Sequence, residues 1–182
     1  MSRNLPPDDY YYNPERTADS WSDRTGAPDS FSAGIGRVVL NFSKLEASIE
    51  TGILKCLRVS PEVGQILTAE LSFKVKLHIL SALVRHLSGS TRFSANTEDP
   101  LDCWDKILVQ CFRAEEMRNQ VLHSRWEGPY LRDSQATRRK VTAKAARGLF
   151  ETSEVTTDAD LLDIADYTIQ LATHVEEFFF IE

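Results

Sequence analysis

Four long stretches of this 182-residue chain repeat apolar side chains at three- and four-residue steps, a spacing that restricts them to helices burying one face each. The clearest runs from Asp99 to Trp126. Asp99 is placed to cap free backbone N–H groups, and Pro100 stands where a missing donor costs nothing, so the helix starts there. Trp104, Ile107, Leu108, Cys111, Ala114, Met117, Val121 and Leu122 then fall along most of one face. Gly128 and Pro129 predict a break near Ser124, which leaves His123 in the last turn.

The other three stretches frame this one. The first runs from about Phe31 to Leu57, with Ile35, Val38, Val39, Phe42, Leu45, Ile49, Ile53 and Cys56 in its stripe. A second helical region is expected from Pro61, behind the Ser60 cap, to about Leu87, bent near Glu70 to Ser72. The last opens at Thr157, with Asp158 and Asp160 in a first turn that suits acids. It ends on Phe178, Phe179, Phe180 and Ile181, a run apolar enough to need cover from the bundle or from a second subunit. Residues 88–98 form a polar loop, and residues 127–156 alternate too irregularly for a helix. A short β-hairpin turning near Gly148, or an ordered arm, is expected there. Residues 1–30 carry no periodicity and are expected to be a tail, in spite of Tyr10, Tyr11, Tyr12 and Trp21. The fold class that follows is all-α: an up-and-down bundle of four principal helices over residues 31–182, with a small non-helical or β-hairpin insertion before the last helix.

Composition narrows the function. With 42% hydrophobic residues the chain buries a real core, while its opening residues lack the apolar run of a signal peptide. No stretch approaches the roughly 18 apolar residues of a membrane span, so a cytoplasmic protein with no membrane partner is expected. Cys56, Cys103 and Cys111 make an odd set without CxxC spacing, which fits reduced core thiols. His78, His86 and His174 show no metal-ligand spacing, and Gly34 and Gly36 make no dinucleotide fingerprint, so no metal and no cofactor is expected.

Arg118 is the first candidate functional residue. It lies seven places after Cys111 and projects into the apolar face of its helix, where a guanidinium needs a partner. Glu115, one turn back, would make this a structural ion pair. The alternative groups Arg118 with Asn119 and His123 at the helix end. Between Arg113 and Arg147 the chain carries nine basic and four acidic residues, against a net charge of −6 for the whole. Positive charge concentrated beside the helix end would draw a phosphate backbone, or would simply be solvated.

Arg118-Asn119-Gln120-Val121-Leu122-His123 resembles the signature of the HEPN (higher eukaryotes and prokaryotes nucleotide-binding) domains, whose ribonuclease members carry Arg, a polar residue, then His. The position of this hexapeptide late in the third long helix, before His123-Ser124-Arg125-Trp126, extends the resemblance. It implies a metal-independent endoribonuclease in which a two-fold homodimer brings two such helix ends into one cleft, with Arg118, Asn119 and His123 catalytic. It also implies a toxin-like or phage-defence setting and an antitoxin protein as a possible partner. In HEPN toxins paired with nucleotidyltransferase antitoxins a tyrosine two places after the histidine is modified; Arg125 stands there in this chain. Arg125, Arg138, Arg139, Lys140 and Lys144 are candidates for binding the RNA backbone, by charge and nearness in sequence. Two other classes stay open: an HEPN-type helical module that binds RNA, a nucleotide or a protein partner without cutting, and an assembly subunit in which Arg118 and Glu115 are structural.

Overall fold

The computed structural model describes residues 29–89, 93, 99–131, 135–144 and 148–179. The expected tail therefore lies outside the described residues except for Asp29 and Ser30, which are already helical. So does most of the 88–98 loop. Among the described residues five helices and three strands follow in chain order: α1 Asp29–Leu57, α2 Pro61–Thr68, α3 Phe73–Leu87, α4 Pro100–Leu122, β1 Arg125–Leu131, β2 Gln135–Lys144, β3 Gly148–Thr157 and α5 Asp158–Phe178. The strands form one antiparallel sheet in the order β1-β2-β3.

This corrects the expected four-helix up-and-down bundle with a small insertion in two places. The region from Pro61 to Leu87 is two helices rather than one bent helix, because Ser72 ends the break and its side chain accepts the Val75 N–H, starting α3 afresh. The short α2 carries the chain back along α1, and Gly64 permits that approach: a Cβ there would lie 2.2 Å from Leu54 Cγ. The insertion is the larger departure. Its strands begin two residues after α4 ends and run to the cap of α5, so a sheet of three strands joins the last two helices. The expected turn near Gly148 falls on residues 145–147, outside the described residues; Gly148 itself, paired with Lys144, has a φ of 70°, which favours glycine.

Contacts along the helices fix their directions. α1 and α5 run parallel, from Gly34 against Leu161 through Asn41 Nδ2 donating to the Ala165 carbonyl (2.9 Å) to Ser48 Oγ donating to Glu176 Oε1 (2.9 Å). α3 and α4 run antiparallel, with the His78 and Phe112 rings 5.8 Å apart and Arg85 paired to Asp105 one end further on. The main core lies between these four helices and takes in Leu45, Ile49, Leu77, Leu80, Trp104, Cys111 and Leu171. Burial pushes the Cys111 thiol up to about 12, so it stays protonated and packs as a small apolar group. Phe178 and Phe179 close the base of the core against Trp104, which settles where the apolar C-terminal run of α5 goes as far as Phe179.

A smaller cluster of Phe31, Val38, Val121, Ala136, Leu161 and Ala165 ties the sheet to the start of α1, the end of α4 and the start of α5. The α5 start is a capping box: Thr157 Oγ1 accepts from the Asp160 N–H and Asp160 Oδ2 accepts from the Thr157 N–H. Those hydrogen bonds from Thr157, backbone first and then hydroxyl, hold the Asp160 carboxyl below its ordinary value. Among the described residues, no helix is long and apolar enough to cross a membrane.

Candidate functional site

α4 ends where the small cluster sits, and three contacts fix that end. His123 is the C-cap residue, its N–H bonded to the Asn119 carbonyl at 3.0 Å. Ser124 Oγ donates to the Gln120 carbonyl and Trp126 Nε1 donates to the Val121 carbonyl at 3.1 Å, so side chains satisfy last-turn oxygens that the helix leaves open. Phe31 meets the Trp126 ring edge-on at 4.9 Å, anchoring it to α1. Trp126 belongs to the motif region, but nothing in its spacing marked it as the residue that ties down the helix end.

The three motif residues are gathered within this last turn and a half. Arg118 is half-buried; its Nη1 donates to Asn119 Oδ1 at 2.9 Å, and its Cζ lies 5.2 Å from the centre of the Phe42 ring. Phe42 itself is held by Phe73, ring centres 4.7 Å apart. The alternative ion pair with Glu115 is not formed: among the described residues no carboxylate lies within ion-pair distance of Arg118. Its charge is therefore held by an amide oxygen and an aromatic face, neither of which neutralises it. His123 is exposed, five positions after Arg118, and meets Asn119 through its own N–H and the Asn119 carbonyl.

The five residues proposed for an RNA backbone are not alike. Arg138 pairs with Glu154 across β2–β3, and its side chain is only 12% exposed. Arg139 lies 3.2 Å from Glu127, and its Nε lies 2.9 Å from Glu151 Oε1 without pointing its N–H along that line. Strand register explains both, since Arg138 stands opposite Glu154 and Arg139 beside the carboxylates of the other face. These two cations are compensated within the sheet. Arg125, 82% exposed, keeps only a 3.7 Å contact with Glu127, and Lys140 has no ion-pair partner among the described residues. The Lys144 side chain lies outside the described residues. Accessible positive charge beside His123 thus rests on Arg125 first and Lys140 second.

The opposite end of α4 is acidic: Asp99, Asp102, Asp105 and Lys106 line an open depression of about 350 Å³. Acids at the start of a helix and cations at its end both suit the helix dipole. Among the described residues no group of three His, Cys, Asp or Glu side chains is placed to hold a metal ion. Compared with known protein families, with curated proteins and with solved structures, the chain matches none.

Proposed function

We propose that the chain is a metal-independent endoribonuclease of the HEPN type, with Arg118, Asn119 and His123 acting at the end of α4. The observation that carries this reading is the state of Arg118: a half-buried guanidinium that has no carboxylate within ion-pair distance among the described residues, five positions before an exposed imidazole. A group of that kind is suited to an anion brought from outside, and a phosphodiester is the anion that a neighbouring histidine can process.

The chemistry asked of these residues is cyclisation. The ribose 2′-oxygen loses its proton to a base and attacks phosphorus. The extra negative charge on the phosphoryl oxygens is met by the Arg118 fork, and the bond to the 5′-oxygen breaks as that oxygen takes a proton, leaving a 2′,3′-cyclic phosphate and a 5′-hydroxyl. Imidazole serves either proton transfer near neutrality. One chain supplies one histidine at this end, so the reading includes a homodimer in which His123 of each copy takes one of the two roles. Asn119 orients the guanidinium through its Oδ1. Arg125 and Lys140 position the backbone on either side. A toxin-like or defence role, with an antitoxin protein restraining it, belongs to the same reading.

The test is incubation of the purified full chain with mixed RNA in chelator, beside His123→Ala and Arg118→Ala. Cleavage by the parent alone, with 2′,3′-cyclic ends, is expected. RNA binding by every form with cleavage by none would replace this reading with that of a binding module.

A further inference from the structure

The two edges of the sheet are built differently. β1 carries Pro129, which has no N–H to give a neighbouring strand, and its pairing with β2 shifts register between Glu127 and Leu131. Both devices blunt an edge against further pairing. β3 has neither: it pairs with β2 in unbroken register from Gly148 to Thr157, and among the described residues no strand covers its outer edge. Its side chains are exposed from Gly148 through Val155. On the sheet face away from the helices, Val141 (53%) and Leu149 (74%) are exposed near the Gly148 end of the strand pair and Val155 (61%) near its other end.

We infer that β3 is a dimerisation strand, pairing antiparallel with β3 of a second copy about a two-fold axis at Thr152 and extending the sheet to six strands. The strand's own sequence selects both occupant and register. A two-fold antiparallel pair must place residues of the same sheet face opposite one another, so each register is centred on a single residue. Centring on Glu151 or on Glu154 sets two carboxylates face to face. Centring on Ser153 sets Glu151 against Val155 and Leu149 against Thr157. Centring on Thr152 does set Phe150 against Glu154, but it alone places Leu149 opposite Val155 at both ends, with Glu151 opposite Ser153 and Thr152 opposite its own copy. It also sets Gly148, with no side chain, opposite Thr156, whose side chain already turns inward to the helices. Glu151 and Glu154 bring no net charge to the seam, because Arg139 and Arg138 already answer them.

This interface is separate from the one the nuclease reading requires. The two β1 strands would lie five strand spacings apart, about 24 Å, so the α4 ends they follow are held away from each other. Failure of either leaves the other standing.

Cysteine substitution in the full chain tests the seam. Thr152→Cys is expected to form a disulfide-linked dimer on mild oxidation in near-complete yield, as residues facing across a strand pair lie within disulfide range, and Ser153→Cys at least tenfold more slowly. In sedimentation equilibrium, Leu149→Lys should weaken association tenfold or more, and Leu149→Lys combined with Val155→Glu should restore it, since those positions face each other. Circular dichroism confirms that each variant is folded. Equal cross-linking at 152 and 153, no cross-linking at either, or a double variant no tighter than Leu149→Lys would overturn the proposal.

Discussion

Lys76 and Arg118 are cations packed against the same helix, one turn apart along α1, yet they are handled in opposite ways. Lys76 is 4% exposed and sits between Glu46 (2.7 Å) and Glu50 (2.5 Å). Burial opposes its charge, but the hydrogen bonds and charges of the two carboxylates more than offset this and raise its pKa above the ordinary lysine value. Arg118 is half-buried against Phe42 and Asn119 with no carboxylate beside it among the described residues. One charge is consumed by the fold and the other is kept. The difference separates a structural cation from one that can meet an external anion, which sequence spacing alone does not do.

The contrast breaks first at Arg118. Under the nuclease reading Arg118→Ala should lower cleavage by about 100- to 1,000-fold, the cost of removing one donor that meets transition-state charge. Its unfolding free energy should fall by less than about 1 kcal/mol, because no partner charge is stranded. A large loss of stability with cleavage intact would invert the assignment. Lys76→Ala should behave the other way: about 3 kcal/mol lost in denaturant unfolding, near the low end for a broken buried pair because both glutamates keep some exposure to water. Since the folded pKa of Lys76 is raised, its contribution is complete below the unfolded value of about 10.4 and is lost as pH rises through the folded value. Parent and Lys76→Ala should therefore converge in stability in strongly alkaline buffer.

Phe42→Leu sharpens the comparison on a smaller scale. It keeps an apolar side chain but removes the ring face under Arg118, and cleavage should fall three- to fivefold, about 0.5–1 kcal/mol. Glu115→Gln should change neither cleavage nor stability beyond a few tenths of a kcal/mol, because the side chain pairs with nothing Arg118 needs. A marked effect there would show that the i, i+3 pair forms in solution.

Much of the helical body was legible from residue pattern alone. Asp99-Pro100, Ser60-Pro61 and Thr157 mark helix starts through local chemistry, and the stripes of α1, α4 and α5 locate most of the core. Val39 and Val75 sit at helical spacing yet are 36% and 42% exposed, since a stripe wider than the neighbouring helices leaves its margin in water. Lys76 was invisible to the pattern, because only the fold brings Glu46 and Glu50 to it from α1. The sheet was hidden for a related reason. Arg138, Arg139 and Lys140 read as a solvated basic run, and the carboxylates that fix two of them come from β1 and β3, not from neighbours in sequence. At the helix end the motif positions could be read off, whereas the roles of Phe42 and Trp126 depended on contacts made from elsewhere in the chain.

Only His123 and Ser124 separate the last helical residue of α4 from the first residue of β1, and Trp126 bolts that strand to the Val121 carbonyl one turn back. Helix and sheet thus meet at a joint with almost no slack, and the imidazole is mounted on the joint itself. Whatever tilts the sheet, by even a small rotation, swings His123 with it.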